Sequence, residues 1–221
     1  MRNGNMGRRT TEFYSKHFYP ALKKAGAGPA GFFNSVIGEQ SPFLLAVLSY
    51  PSLAAMEAVE EKLAADSAFQ KAFEEYNSTS ELSYIRMDSS LLRGFRTVPG
   101  LEIPPAAASP RIFELRTYES MNVTTCRRKV KMFDDDGEID IFRHFGMRPV
   151  FFGEAIVGKN LPNLTYMLAF DDLAARDKAW RAFGTSPEWK KLSGRPELAD
   201  ALLVTNISNS ILRPLPFSDV R

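Results

Sequence analysis

Ile112-Phe113-Glu114-Leu115-Arg116-Thr117-Tyr118 sets Phe113, Leu115 and Thr117 against Glu114, Arg116 and Tyr118 in strict alternation. A period of two is the pattern of a β-strand whose two faces meet different surroundings. Downstream lie a helical stretch ending near His144-Phe145-Gly146 and two β-rich runs, Val150 to Val157 and Leu164 to Phe170, around the turn chemistry of Gly158-Lys159-Asn160-Leu161-Pro162. A helix capped by Asp172 and a strand near Leu203 to Leu212 follow. The resulting order, βαββαβ, is that of a ferredoxin-like unit.

The same order occurs once before, at a fixed offset. Gly38 falls on Gly158, a shift of 158 − 38 = 120, and without a gap Gly26 then meets Gly146, Pro29 meets Pro149, Phe32 meets Phe152 and Pro42 meets Pro162. Leu53-Ala54-Ala55 meets Leu173-Ala174-Ala175, and Ser90, Leu92 and Arg93 meet Ser210, Leu212 and Arg213. Tyr14, Phe18 and Leu22 place an amphipathic helix ahead of Gly26, and Gly31 to Ile37 with Phe43 to Tyr50 form the first hairpin. Ser52 caps a helix carrying Leu53, Met56, Val59 and Leu63, and a strand is expected near Ser83 to Leu91.

The fold class is therefore α+β, two ferredoxin-like (βαββαβ) repeats. The division expected is residues 1–98, a Pro-rich linker at 99–110, and residues 111–221. Subtracting 120 from the strand at Ile112 gives positions before Met1, so the first repeat lacks its opening strand. A chain shortened at its N-terminus, or a strand supplied by another segment or chain, is expected in consequence.

Composition narrows the class. The 221 residues are 44% hydrophobic and 24% charged with 14 Gly and 14 Pro, which excludes disordered, fibrous and membrane-embedded chains. Lys and Arg at 28 against Asp and Glu at 26 leave a net charge of +2, without the basic footprint of a nucleic-acid or anionic-lipid binder, so neither partner is expected. No apolar run approaches the ~18 residues of a membrane span. Met1 to Lys24 carries Arg2, Arg8, Arg9, Lys16, Lys23 and Lys24 without the hydrophobic stretch of a secretory signal. The chain as given reads as cytoplasmic, with an exported or periplasmic location as the alternative if the natural N-terminus is longer. Cys126, the one cysteine, admits no intramolecular disulfide or thiolate zinc site and reads as a half-buried helix residue.

Three segments carry a family resemblance: Phe113-Glu114-Leu115-Arg116-Thr117-Tyr118, Ser186-Pro187-Glu188-Trp189-Lys190-Lys191-Leu192, and Asn209-Ser210-Ile211-Leu212-Arg213-Pro214-Leu215-Pro216-Phe217-Ser218. In this order they resemble the NIPSNAP family. The resemblance implies a dimeric α/β-barrel arrangement of two ferredoxin-like units, here with both copies in one chain. Some bacterial members that look like this chain have an exported leader and an opening strand ahead of the first copy. Eukaryotic relatives are mitochondrial and are discussed as interaction and trafficking proteins. No reaction is established for the family, while the wider barrel superfamily contains cofactor-free monooxygenases, isomerases and haem enzymes.

The candidate pocket or polar-layer residues are Glu114, Arg116, Tyr118, His144 and Trp180. Glu114, Arg116 and Tyr118 share one strand face, which could look into the space between the two sheets. There Arg116 would fix an anionic or carbonyl group and Tyr118 would donate a hydrogen bond, or the charges would pair across the sheet as a buried polar layer. His17 and His144 do not correspond under the shift, which argues against a paired metal site or a duplicated base. His144 suits a helix C-terminus as a cation, with a general base or haem ligand as the other use. Trp180, opposite Glu60 in the first copy, would cover a pocket or interface. Asp134-Asp135-Asp136-Gly137-Glu138-Ile139-Asp140 lacks the alternate spacing and the bidentate Glu of a calcium loop and reads as an acidic, solvated interruption of a helix. No metal site and no cofactor are expected, and nucleotide, serine-hydrolase and zinc-protease motifs do not occur.

Two functions follow. One is a NIPSNAP-like protein of no established reaction that binds a small apolar molecule or a protein partner, with a homodimer left open. The other is a cofactor-free monooxygenase- or isomerase-like enzyme with a pocket between sheet and helices. An enzyme needs a concave apolar space of roughly 300 Å³ or more with convergent polar groups, whereas a binding module fills that space with side chains.

Overall fold

The computed structural model describes residues 5–78, 82–106 and 109–221 and divides into two compact units, which are taken separately. Ala107 and Ala108 of the expected linker lie outside the described residues.

Unit 1 is Met1–Met87 with Pro214–Val220. Helix α1 (Asn5–Phe13) runs through a π-helical turn, Tyr14–Phe18, into α2 (Tyr19–Lys24). Pro20 has no N–H to give to the preceding turn, which accompanies the wider winding there. The helix ends in a Schellman motif at Gly26, φ 89°, with Ala27 N–H on Leu22 O and Gly26 N–H on Lys23 O. Strands β1 (Ala30–Ile37) and β2 (Leu44–Leu48) form an antiparallel hairpin, followed by α3 (Leu53–Ala65) and α4 (Ser67–Asn77). Ser52 accepts from Ala55 N–H and Asp66 from Ala68 and Phe69 N–H, so each helix starts on a side-chain cap. The core gathers Leu22, Phe32, Val59, Leu63 and Leu215.

Unit 2 is Asp88–Arg213 with Arg221. It contains β3 (Leu91–Gly94), β4 (Ile112–Glu119), α5 (Val123–Asp134), α6 (Glu138–His144), β5 (Arg148–Val157) and β6 (Asn163–Phe170). Then come α7 (Leu173–Thr185), α8 (Pro187–Ser193), a short 3-10 turn, α9 (Asp200–Leu203) and β7 (Asn206–Pro214). Its antiparallel strands run in the order β7-β4-β6-β5-β3, so the expected βαββαβ repeat supplies four and β3 is added at the edge. The acidic stretch does break the helix: Gly137 takes φ 93° between α5 and α6.

The offset of 120 holds in three dimensions. Phe32 faces Ala46 as Phe152 faces Tyr166, and Asn34 faces Leu44 as Glu154 faces Leu164. Gly146 repeats the Schellman closure of Gly26, with Met147 N–H on Phe142 O and Gly146 N–H on Arg143 O.

Three expectations change. The strand placed at Ser83 to Leu91 is the shorter β3, because Ser83 is held instead by the helices: its hydroxyl donates to Tyr76 O, and its carbonyl accepts from Thr10 and Tyr76 hydroxyls. The last strand begins at Asn206 because Leu203 closes α9. Strand β5 begins before Pro149, at a register shift between Pro149 and Phe151 that accommodates a residue without an N–H. Repeats and compact units also divide the chain differently. Strand β3, the end of the first repeat, lies in unit 2, while Pro214–Val220, the end of the second, lies in unit 1. There the tail lies along β1: Leu215 N–H donates to Phe32 O, Asp219 N–H to Ala30 O, and Phe32 N–H to the Ser218 hydroxyl.

Candidate functional site

Strand β4 lies inside unit 2's sheet, between β6 and β7. Glu114, Arg116 and Tyr118 project from it toward the helices of the same unit and not into a space between sheets, since their partners sit on α5 and α7. The expectation of an inter-sheet site is corrected on that ground.

Glu114 is fully buried, and its carboxylate accepts five hydrogen bonds from four side chains. Arg176 Nη2 donates to Oε1 at 2.6 Å and Nε to Oε2 at 2.9 Å, a bidentate clamp. Trp180 Nε1 donates at 2.7 Å, Asn209 Nδ2 at 2.6 Å and Arg116 Nη1 at 3.0 Å. Two carboxylate oxygens offer about four lone-pair sites, so the group is saturated by protein donors. Burial alone would push its carboxyl up, but the bonds from Arg176 and Trp180 and the charge of Arg116 hold it below the usual carboxylate value.

Arg116 lies across Trp180, its guanidinium carbon 4.7 Å from the ring centroid, and its Nη2 donates to the Tyr118 hydroxyl at 3.3 Å. Tyr166 on β6 donates to the same hydroxyl at 3.0 Å. Arg116 Nε is buried without an acceptor among the described residues. Around these groups the layer is filled by rings: Phe133, Phe142, Phe152, Tyr166 and Phe183 form one cluster, with Phe152 stacked on Tyr166 at 4.8 Å.

A second buried charge lies beside the first. Lys129 of α5 is 1% exposed, donates to Glu138 at 3.3 Å and to Asp200 at 3.2 Å, and faces the rings of Tyr118, Phe133 and Trp189. Glu138 is buried so deeply that its carboxyl is pushed up to about 7, against the pull of Lys129.

Of the candidates, the structure brings Glu114, Arg116, Tyr118 and Trp180 together. His144 is elsewhere, exposed at the end of α6 with its ring 4.8 Å from Phe145. Arg176, Asn209, Tyr166, Lys129 and Glu138 join the site beyond the sequence candidates. A signal existed for two of them: Arg176 and Trp180 are four apart on one helix face, and Lys129 falls in the stripe Cys126, Lys129, Val130, Phe133. Cys126 is fully buried rather than half-buried, and burial raises its thiol. Among the described residues no group of three or more His, Cys, Asp or Glu could hold a metal ion, and no helix is long and apolar enough to cross a membrane.

The motif segments have structural work as well. Ser186 caps α8 through Trp189 N–H, Trp189 packs on Phe183 at 4.6 Å, and the C-terminal motif runs from β7, where Asn209 donates to Glu114, into the tail along β1.

A search of solved structures returns an uncharacterised NIPSNAP-like domain protein from Burkholderia xenovorans, 24% identical over 49% of this chain and 88% of that one, TM-score 0.43. A NIPSNAP family protein of unknown function from Agrobacterium tumefaciens is 23% identical over 52% of this chain and 97% of its own, TM-score 0.46. A Fusobacterium nucleatum protein, named by a provisional assignment as a monooxygenase, matches 97% of this chain and 88% of its own at TM-score 0.58 and 6% identity, a likeness of fold alone. A comparison with curated proteins finds no match. The NIPSNAP family profile matches residues 1–98 and 113–219, on both sides of the expected linker and over most of the chain. The chain belongs to the NIPSNAP family.

Proposed function

We propose that the chain works by binding a protein partner, and that the Glu114–Arg116–Tyr118–Trp180 layer is the rigid support of that surface rather than a catalytic centre. The observation that carries this reading is the saturation of Glu114: its acceptor sites are taken by Arg116, Arg176, Trp180 and Asn209, inside a layer filled with aromatic rings. A general base needs a free lone pair within reach of substrate.

The surface offered is one end of unit 2's sheet. There β4 finishes at Glu119, opposite the starts of β6 at Asn163 and β7 at Asn206, and Met121, Ile156, Val157, Leu161 and Ile207 are all exposed. Exposed apolar residues gathered at one place mark interaction surfaces. A second copy of the chain is the partner of first choice.

Sedimentation across a concentration series tests this. The wild type is expected to associate, and Met121→Ser/Ile156→Ser/Val157→Ser to sediment as a single chain with an unchanged melting temperature. One observation favours the enzyme-like reading: Arg116 Nε, buried without an acceptor among the described residues, suits a small carbonyl compound or anion. A wild type that stays a single chain at every concentration and carries a stoichiometric small molecule in native mass spectrometry would replace the first reading by this one.

A further inference from the structure

The segment from Gly194 to Thr205 leaves α8, makes the short 3-10 turn and α9, and enters β7. Its backbone bonds are mostly its own: Leu202 N–H donates to Ala199 O and Val204 N–H to Asp200 O, while Thr205 N–H reaches Glu119 O at the end of β4. Leu198 and Leu203 pack with Met132 and Leu192. Among the described residues two ion pairs hold the segment, Arg195 to Asp136 at 3.8 Å and Asp200 to Lys129 at 3.2 Å. The second draws on a buried charge that is shared. Lys129 also meets Glu138 at 3.3 Å, and whereas the Asp200 side chain is 57% exposed, that of Glu138 is 3%. The trio belongs to the second repeat alone: at the offset of 120, Arg9, Phe18 and Ser80 stand in place of Lys129, Glu138 and Asp200.

We propose that Lys129, Glu138 and Asp200 form a pH-sensitive clasp on this segment: with Glu138 protonated the ammonium is left to Asp200 and α9 is docked, and with Glu138 ionised the ammonium is already neutralised, the two carboxylates repel and α9 opens. A buried ammonium without an anion is strongly destabilising, so the chain depends on Asp200 most when Glu138 is neutral. The groups facing Glu138 are Lys129 from α5, Asp200 from α9, Arg116 from β4 and Tyr166 from β6, with Tyr118 of β4 against Lys129. Burial would lower Lys129 and Arg116, but Glu138 and Asp200 hold Lys129 up while Tyr166, Tyr118 and Glu114 hold Arg116 up, so both stay cationic. Burial pushes the Tyr166 hydroxyl well above its ordinary value, and it pushes Glu138 up to about 7, into the range where the clasp works. The sign follows by linkage. The charge of Asp200 tightens the hold of Glu138 on its proton, so the proton tightens the hold on Asp200, and α9 is docked below about pH 7 and loosened above it. Thr205 and Asn206 both bond Glu119 beside the exposed Met121 and Ile207, so the clasp orders one margin of the apolar surface. That consequence rests on the partner-binding reading; the clasp itself does not, and it is read in the free chain.

The test is residue-resolved amide exchange of the dilute whole chain at pH 6 and pH 8, with each rate taken relative to an unstructured peptide at the same pH. The Leu202, Val204 and Thr205 amides are expected to lose protection by about fivefold or more between the two. Glu138→Gln, neutral throughout, is expected to keep at pH 8 the protection that the wild type has at pH 6. Asp200→Asn, at a half-exposed position, is expected to lower protection at pH 6 and to abolish the step, and by the same linkage the Glu138 carboxyl, followed by carbon-13 NMR, titrates at a lower pH in this variant than in the wild type. The proposal is overturned if the wild type shows no step, if the step persists in Asp200→Asn, or if these amides exchange as slowly as Leu164 and Leu168 of β6, since α9 would then open only with the whole unit.

Discussion

Glu138 and Glu114 are buried to opposite effect. Glu114 is met by cations and donors on all sides and stays ionised, whereas Glu138 shares Lys129 with Asp200 and is pushed up to about 7. An unfolded Glu titrates near about 4.3, so Glu138 binds its proton more tightly in the folded chain. Its contribution to stability is fully present below about 4.3, declines as pH rises, and is gone above about 7. Replacing it with Gln removes that dependence. The stability difference between Glu138→Gln and the wild type should therefore grow in the variant's favour from pH 4.5 to 7 and then level off, as measured by urea unfolding at each pH; a difference independent of pH contradicts the assignment. At this scale the sequence was partly legible. Glu114, Arg116 and Tyr118 announce a shared face by alternation alone, but which layer that face meets depends on α5 and α7, and no local pattern states it. Lys129 reads as one of a basic run, Arg127-Arg128-Lys129, until the helical stripe is counted. His144 has the chemistry of a base or ligand, but its helix turns it to solvent.

Elements were the most legible scale, because their boundaries rest on residues whose physics is local. Gly26 and Gly146 close the corresponding helices with positive φ, 89° and 76°, and make the same pair of backbone bonds. A side chain in that region costs about 1–2 kcal/mol, and a Cβ would meet nothing within 4 Å at Gly146, so strain is the only penalty there. Gly146→Ala is expected to lower unfolding free energy by that amount, and Gly26→Ala by a similar one, in denaturant titrations; no loss at either position would mean the closure does not hold the helix end. Ser52 and Asp172 were readable as caps for the same reason. The strand expected over Ser83 to Leu91 was not, because Ser83 has non-local partners, Thr10 on α1 and Tyr76 on α4, that outcompete the ladder. The run expected from Val150 begins at Arg148, because irregular pairing that no local pattern states admits Pro149 to β5.

At the scale of the whole molecule, the offset of 120 carried both the fold class and the division into repeats, and the family match follows the same two segments. What periodicity could not show is that repeat and compact unit part company at their ends: β3 joins unit 2, and the tail after Arg213 joins unit 1, where Tyr19, Lys23 and Ala30 all hold Asp219. Strand order depends on contacts far apart in sequence, so a repeat found by sliding the chain on itself states which strands are alike and not which neighbour each one takes. The two repeats are alike in register. Strand β6 is paired on both sides and β2 on one among the described residues. Residue-resolved amide exchange of the free chain measures this difference directly. The account predicts that Leu164, Tyr166 and Leu168 exchange slowly, Leu45 and Val47 at intermediate rates, and Leu44, Ala46 and Leu48 fast, near the rates of exposed loops. Equal protection of Leu44, Ala46 and Leu48 with their counterparts in β6 would contradict it.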